Sequence, residues 1–119
     1  RSINNFSEVK DALESFGFDS YQLEQLSLEQ EVRLFSQANV IIGVHGAGLA
    51  AMIYSKNATV IEIFPPNTIL TTYYILANEM GLDYDYIVGE SIEESGGKST
   101  KNQNFTVDTK KIINLIGRL

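Results

Sequence analysis

The segment of this sequence best suited to chemistry is a glycine-rich stretch that contains the chain's single histidine. It runs from Gly43 to Leu49 as G-V-H-G-A-G-L and directly follows a β-branched run. Glycines let a backbone approach a ligand closely, and the free N–H groups at the start of a helix favour an anion. Phosphate or diphosphate is therefore the predicted ligand class. Alternatively, Gly46 and Gly48 make only a tight strand-to-helix turn, because their spacing does not match the G-x-G-x-x-G fingerprint.

His45 lies within this turn and has two open interpretations. It could direct a hydrogen bond or a positive charge at a phosphate or a leaving group, or its imidazole could simply be satisfied by nearby backbone. A Ser-His-Asp triad with Ser36 or Ser55 is not favoured, because neither serine occupies a nucleophile elbow.

Glu62 interrupts the otherwise apolar run Thr59–Phe64. A carboxylate in an interior strand is costly unless it is paired or liganded. Acidic residues one βαβ step after a glycine turn accept ribose hydroxyls in dinucleotide-binding folds, so ribose is one predicted partner. The alternative is a structural carboxylate bonded to loop N–H groups or to a neighbouring tyrosine. Two interpretations are also open for Tyr73 and Tyr74. One of them could face a nucleotide base or sugar, or both could be amphipathic core or interface residues.

The elements that must position these residues alternate between helix-type and strand-type periodicity, which is typical of an α/β protein. Buried strands are predicted near residues 40–44, 59–64 and 84–88, with a short additional strand over Phe18–Gln22. Helices between the strands imply parallel pairing with right-handed crossovers. The prediction is a single Rossmann-like, three-layer domain over residues 1–119 with a mostly parallel sheet, and a mobile loop at 89–105. Ligands of such sheets bind beyond the carboxyl ends of the strands.

Composition narrows the function classes. The chain has 119 residues, enough for one compact domain, with 15 acidic and 9 basic residues and a net charge of −6. It contains no Lys/Arg cluster, which argues against nucleic-acid or anionic-membrane binding. The absence of cysteine excludes disulfides and thiolate metal sites, and a single histidine excludes a multi-histidine site. No apolar run approaches the roughly 18 residues of a membrane span.

The segments quoted above also occur together in a known family. The strings Leu34–Ala38, Val40–Leu49 and Val60–Pro65, followed by Tyr73-Tyr74 and Gly81–Tyr84, resemble glycosyltransferase family 61 over about residues 1–90. That family includes proteins of bacterial capsular polysaccharide biosynthesis, plant xylosyltransferases and protein O-linked N-acetylglucosamine transferases. The ordered pair H-G-A-G-L and V-I-E-I-F-P is the specific part of the resemblance.

The resemblance implies an inverting hexosyl- or pentosyltransferase of the GT-B type, with two Rossmann-like domains. This chain would be the C-terminal, donor-binding half, and Arg1 in place of an initiating Met agrees with a piece of a longer polypeptide. No metal bound by a D-x-D motif is implied, and Asp83-Tyr84-Asp85 lies in a predicted strand. Ala50-Ala51 departs from the polar residue of many relatives, which puts local donor contacts in doubt.

The site follows from the matched motifs. The diphosphate of a nucleotide sugar such as a UDP-sugar would dock on the amides of the segment Gly46, Ala47, Gly48 and Leu49. His45 would be the catalytic residue that neutralises charge as the sugar leaves, and Glu62 would hold the ribose. No other cofactor is expected. A missing N-terminal domain would supply any general base, so this piece alone should be inactive on its glycan or protein acceptor. The expected compartment is the cytoplasm of a bacterium or the Golgi or ER lumen of a eukaryote.

Two hypotheses from other function classes are alternatives to the transferase. The first is a non-catalytic nucleotide-binding or regulatory α/β domain. The second is a receiver-like interaction module, which requires an acidic cluster at the end of the first strand that this sequence does not contain.

Overall fold

A computed structural model describes residues 3–92 and 104–119, which fall into two compact units. One unit takes its residues from Arg1–Ser20, Pro65–Thr68 and Val88–Leu119, and the other from Tyr21–Phe64 and Ile69–Ile87. The elements in chain order are α1 (Phe6–Glu14), a 3₁₀ turn (Leu23–Gln25), α2 (Leu28–Gln37), β1 (Val40–Val44), a 3₁₀ helix (Ala47–Tyr54), β2 (Thr59–Phe64), α3 (Thr72–Met80), β3 (Asp83–Val88), β4 (Glu90–Ser91), β5 (Phe105–Thr106) and α4 (Thr109–Ile116).

The unit Tyr21–Phe64 and Ile69–Ile87, here called the sheet unit, confirms the predicted α/β class. Its parallel three-stranded sheet has the order β1-β2-β3. Strands β1 and β2 pair in register from Val40 opposite Thr59 to Val44 opposite Ile63. Because helices separate the strands along the chain, each parallel neighbour is reached by a crossover, as the periodicity predicts.

The core of the sheet unit explains why the central strand reads as a continuous apolar run. In β2 every residue from Val60 to Phe64 is buried, which requires cover on both faces. One hydrophobic cluster joins this strand to the 3₁₀ helix and α3. Its buried members are Leu49, Met52, Val60, Tyr73, Ala77 and Leu82. The sheet is therefore a rigid platform for the turn that leaves β1.

Local signals set the helix ends. A capping box begins α2, since the Gln30 N–H donates to Ser27 Oγ at 3.2 Å and the Ser27 N–H donates to Gln30 Oε1 at 2.9 Å. Helix α3 ends at Gly81, whose φ of +71° lies in the left-handed region that favours glycine. The segment after β1 is a 3₁₀ helix, which begins with the Leu49 N–H donating to Gly46 O at 3.1 Å.

The second unit, here called the helical unit, contains α1, α4 and the antiparallel pair of β4 and β5. Within this unit, Asn5 links the segment before α1 to the segment before α4. Its side-chain amide donates to Val107 O at 2.8 Å and accepts from the Val107 N–H at 3.0 Å. The ends of the predicted 89–105 loop thus form β4 and the start of β5. Residues 93–103 of that loop lie outside the described residues, and its predicted mobility stays a prediction.

The predicted strand Phe18–Gln22 is wrong, because these residues have no regular structure and lead into the 3₁₀ turn. Its apolar residues, Phe18 and Tyr21, stand three positions apart and cannot share the face of a strand whose side chains alternate. Among residues 3–92 and 104–119, no helix combines the length and hydrophobicity needed to cross a membrane.

Candidate functional site

His45 lies where the sequence predicts, one residue beyond the carboxyl end of β1. Its backbone N–H donates to Ile63 O at 2.8 Å, which extends the pairing with β2 by one step. Its ring stacks on Phe64, with centroids 5.4 Å apart, and lies 5.5 Å from the ring of Tyr73. The side chain keeps 13% of its surface exposed. Strand pairing and two aromatic rings therefore fix a partly accessible imidazole at the carboxyl edge of the sheet.

Glu62 lies beside His45 and is completely buried. Its Oε2 is 2.5 Å from His45 Nδ1, and its Oε1 accepts a hydrogen bond from the hydroxyl of Tyr84 at 2.6 Å. Both carboxylate oxygens therefore have partners within the sheet unit. A tyrosine bond is one of the alternatives that the sequence left open for this residue, and the structure supplies it.

Tyr84 lies on β3 and was not singled out from the sequence as the partner of Glu62. Burial, reinforced by the hydrogen bond to Glu62 and by the charge of that carboxylate, raises the pKa of Tyr84 well above its ordinary value. The phenol therefore stays protonated and donates a hydrogen bond to Glu62. The edge of its ring meets Tyr74 at a centroid distance of 5.4 Å. The spacing of β2 and β3 along the chain does not reveal their register, so this partner could not be named in advance.

The glycines around His45 serve different purposes. A Cβ on Gly43 would come within 2.9 Å of Leu49 Cδ2, and one on Gly48 within 3.2 Å of Leu23 Cδ1. Gly46 is different, because its backbone is extended, with φ 164° and ψ 175°. A Cβ there would meet nothing nearer than Val44 O at 3.8 Å. The packing around Gly46 thus leaves open space, whereas neighbouring side chains already limit Gly43 and Gly48.

The turn also carries backbone donors, and two hydrogen bonds, here called the clamp, hold its Gly46 carbonyl. Gly46 O accepts from the hydroxyl of Tyr73 at 2.7 Å and from the Leu49 N–H at 3.1 Å. The N–H groups of Ala47 and Gly48 precede that first helical hydrogen bond, as expected at a helix start. The side chain of Leu49 is only 4% exposed and belongs to the core. Backbone rather than side-chain groups are therefore what this turn offers to an anion.

Several other candidates do not join this cluster. Ser36 donates its hydroxyl to Arg33 O on α2, and Ser55 Oγ is buried without a hydrogen-bond partner in the described part of the chain. Neither serine bonds to His45, whose side chain is paired with Glu62. Asp85, an exposed residue of β3, accepts from the N–H of Tyr86 at 2.8 Å. Within the described ranges, no three His, Asp or Glu side chains come together as a metal site.

A cavity of about 300 Å³ lies beside β1 in the same unit. Apolar side chains, among them Leu34, Phe35 and Ile41, make up most of its lining, and neither His45 nor Glu62 borders it. Gly43, Gly48 and Leu49 also line this cavity. We place the candidate site at His45, because the ionisable groups converge there.

A family model described as glycosyltransferase 61 matches residues 1–62 of this chain, a range that ends at Glu62. No solved structure matches it. Among curated proteins, similarity extends to protein O-linked-mannose beta-1,4-N-acetylglucosaminyltransferase 2 of Canis lupus familiaris. The two are 39% identical over 70 residues, which cover 55% of this chain and 12% of that protein.

Two further relatives agree with this result. The EGF domain-specific O-linked N-acetylglucosamine transferase of Drosophila melanogaster is 26% identical over 98% of this chain and 24% of its own length. The beta-1,2-xylosyltransferase of Arabidopsis thaliana is 35% identical over 52% of this chain and 12% of its own length. The chain therefore spans between 12% and 24% of the length of these relatives.

Proposed function

The chain belongs to glycosyltransferase family 61, and on that premise we propose that it is the donor-binding domain of an inverting glycosyltransferase. The donor is a nucleotide sugar such as a UDP-sugar, and the acceptor is a hydroxyl of a glycan or a protein. The relatives are named for N-acetylglucosamine and xylose transfer, so the sugar is a hexose derivative or a pentose.

The observation that carries the proposal is the pairing of His45 with open space at Gly46, at the carboxyl end of β1. Among residues 3–92 and 104–119, Gly46 has no neighbour that would exclude a side chain, so packing of the described residues gives no reason for a glycine. Close approach of a ligand to the backbone is a reason. The following N–H groups, of Ala47 and Gly48, and the imidazole of His45 are the groups that a diphosphate would meet.

In the proposed reaction an acceptor oxygen attacks the anomeric carbon of the donor sugar. The bond from that carbon to the diphosphate oxygen breaks, and its electron pair leaves with the nucleoside diphosphate. The turn and His45 stabilise the charge that develops on this leaving group. The proton of the acceptor hydroxyl goes to a base outside this chain, in the N-terminal domain that completes a GT-B enzyme. The 119-residue chain alone is then expected to bind donor without transferring sugar.

The relatives also bear on the compartment. They come from animals and a plant, which favours the Golgi or ER lumen over a bacterial cytoplasm.

Calorimetric titration of the chain with UDP tests the donor role. We expect wild-type binding and a loss of roughly tenfold or more on His45→Ala, because an ionised phosphate loses a hydrogen-bond donor. Gly48→Val should weaken binding further, since its first side-chain carbon already crowds Leu23 at 3.2 Å and its branches enter the turn. Gly117→Ala is the matched control, because Gly117 has an ordinary helical backbone in the helical unit.

Unchanged UDP affinity in both site variants would reduce the turn to a structural role and favour a regulatory domain without donor chemistry. A transfer assay in the full-length enzyme then separates binding from catalysis. There, His45→Ala should lower turnover at saturating donor, which a donor-binding role without charge stabilisation would leave intact.

A further inference from the structure

We infer that Glu62 and Tyr84 are positioning residues, which fix the ring of His45 so that Nδ1–H faces Glu62 and only Nε2 is free for the donor's diphosphate. The ligand in this inference rests on the proposed function, whereas the orientation of the ring does not. Glu62 then acts on the donor through His45 rather than by holding ribose.

The burial of Glu62 is the first support. Its side chain has no exposed surface, and each carboxylate oxygen already has a side-chain partner. Because the carboxylate is fully buried, a ribose hydroxyl could reach it only if the side chains around it moved. His45 and Tyr84 both keep partly exposed side chains, and His45 is the one that lies in the glycine turn at the carboxyl end of β1. The ligand-facing group of the cluster is therefore the imidazole, and the carboxylate lies behind it.

Tyr84 is the second support, because it determines which way the carboxylate turns. Its hydroxyl keeps its proton and donates to Oε1 at 2.6 Å, which directs Oε2 towards the imidazole. The hydrogen bonds thus run from β3 through β2 to the end of β1, in the spatial order of the strands. Because each oxygen of Glu62 makes one hydrogen bond, the carboxylate cannot rotate away from His45 without losing a hydrogen bond.

The imidazole itself is the third support. In a neutral histidine one ring nitrogen donates and the other accepts, and a hydrogen bond at one nitrogen selects the state of the other. Here Nδ1 is 2.5 Å from Glu62 Oε2, and Phe64 stacks on the ring. Within residues 3–92 and 104–119, Nε2 of His45 has no hydrogen-bond partner. Nδ1–H is therefore committed to Glu62. Nε2 is the nitrogen that faces the ligand, and it donates to a phosphate oxygen when the ring carries a proton on both nitrogens.

Nitrogen-15 NMR can read the committed nitrogen directly, because the chain contains one histidine and its ring signals need no assignment. In the neutral ring we expect the proton on Nδ1. In Tyr84→Phe we expect the two ring-nitrogen shifts to move towards each other as the single tautomer gives way to a mixture. Tyr86→Phe removes an exposed hydroxyl two residues along the same strand and should leave these shifts unchanged. A neutral wild-type ring that carries its proton on Nε2 and none on Nδ1 would overturn the inference.

A double-variant cycle with UDP tests whether Glu62 acts through His45. Glu62→Gln should weaken UDP binding by roughly tenfold, by analogy with the loss found when a metal-binding histidine loses its orienting partner. In a His45→Ala background the same change should have no further effect. If Glu62 holds ribose directly, its loss persists in that background, and the positioning role is refuted.

The two experiments separate this inference from the proposed function. If wild-type chain fails to bind UDP while the NMR shows a single Nδ1–H tautomer that depends on Tyr84, the donor role fails and the positioning geometry stands. If UDP binds with the expected loss on His45→Ala but the tautomer is Nε2–H, the donor role stands and the positioning role fails. Thermal melts of Glu62→Gln and Tyr84→Phe establish that the variants remain folded.

Discussion

Two glycines of this chain, Gly46 in the sheet unit and Gly89 in the helical unit, occupy opposite environments. A Cβ on Gly89 would overlap the ring of Phe105, with Cε2 only 2.8 Å away and Thr106 O at 3.1 Å. Phe105 is completely buried, so its ring cannot swing outward. A Cβ on Gly46 would meet no atom nearer than 3.8 Å. The same residue type is required by internal packing in one place and is free of that requirement in the other.

The difference teaches how to separate a structural glycine from a ligand-binding one. Where packing requires a glycine, as at Gly89, substitution by alanine should lower the free energy of unfolding and leave ligand affinity unchanged. A glycine in open space, such as Gly46, should register in ligand affinity and leave stability unchanged. The following predictions test this separation.

The largest effect is expected for Gly89→Ala. The added methyl group collides with a buried ring that has no room to move, and overpacking of this kind costs about 1–3 kcal/mol of the free energy of unfolding. Denaturant unfolding measures the loss, and UDP affinity of the folded fraction should not change. A variant as stable as wild type would show that Phe105 can repack, and the contrast with Gly46 would disappear.

Gly46→Ala is expected to have the next largest effect, and in affinity alone. The free energy of unfolding should stay within about 0.5 kcal/mol of wild type or rise slightly, because the position is extended and unobstructed. UDP affinity should fall by roughly tenfold if a phosphate lies against this backbone, which is about 1.4 kcal/mol. Calorimetry checks the affinity, with Gly117→Ala as control. Full affinity would mean that the open space is not ligand space.

Tyr73→Phe should produce a smaller, mixed effect. It removes the hydroxyl that donates to Gly46 O at 2.7 Å, while the ring remains in the core. A hydrogen bond of this kind contributes about 0.5–1.5 kcal/mol to stability. Because it orients the turn, we also expect a decrease of a few-fold in UDP affinity. Thermal melts and calorimetry on one preparation would show both changes, and an effect on stability alone would detach Tyr73 from the site.

The smallest effect concerns alkaline pH and Tyr84. Its pKa is raised in the folded state, whereas the unfolded chain loses that proton near pH 10. The stabilising contribution is therefore complete below about pH 10 and declines as the pH rises further, because the unfolded state then binds fewer protons. Wild type should lose stability more steeply than Tyr84→Phe between about pH 9 and 11. Parallel slopes would contradict this, and Gly89→Ala should keep the wild-type slope.

The sequence predicted the parts of the fold that depend on local pattern. The three main strands follow from periodicity. The capping box at Ser27 and Gln30 and the helix end at Gly81 lie at residue types with defined backbone preferences. The false strand at Phe18–Gln22 arose because two aromatic residues in a short segment look like a strand until their spacing is considered. The 3₁₀ hydrogen bonding of Ala47–Tyr54 has no sequence signature distinct from that of an α-helix.

The candidate site was predictable in position but not in partnership. His45 and Glu62 could be placed at one edge because parallel strands end there together. That Glu62 would pair with His45 and Tyr84 depends on the register of β3 against β2 and on rotamers, which a single sequence does not encode locally. The same limit explains why Tyr73 could be placed near the turn without its bond to Gly46 being foreseen.

The clamp on Gly46 has one more consequence, which concerns a single peptide plane. Gly46 C=O and Ala47 N–H belong to the same rigid amide, and in a trans peptide they point in opposite directions. Tyr73 and the Leu49 N–H both donate to that carbonyl and so occupy its two lone pairs. The direction of the Ala47 N–H is then determined by Tyr73 of α3, on the opposite side of the peptide plane, without any contact between Tyr73 and a ligand. A shift of α3 would reorient that amide, so the position of the helix is coupled to the direction of the N–H that we propose faces the diphosphate.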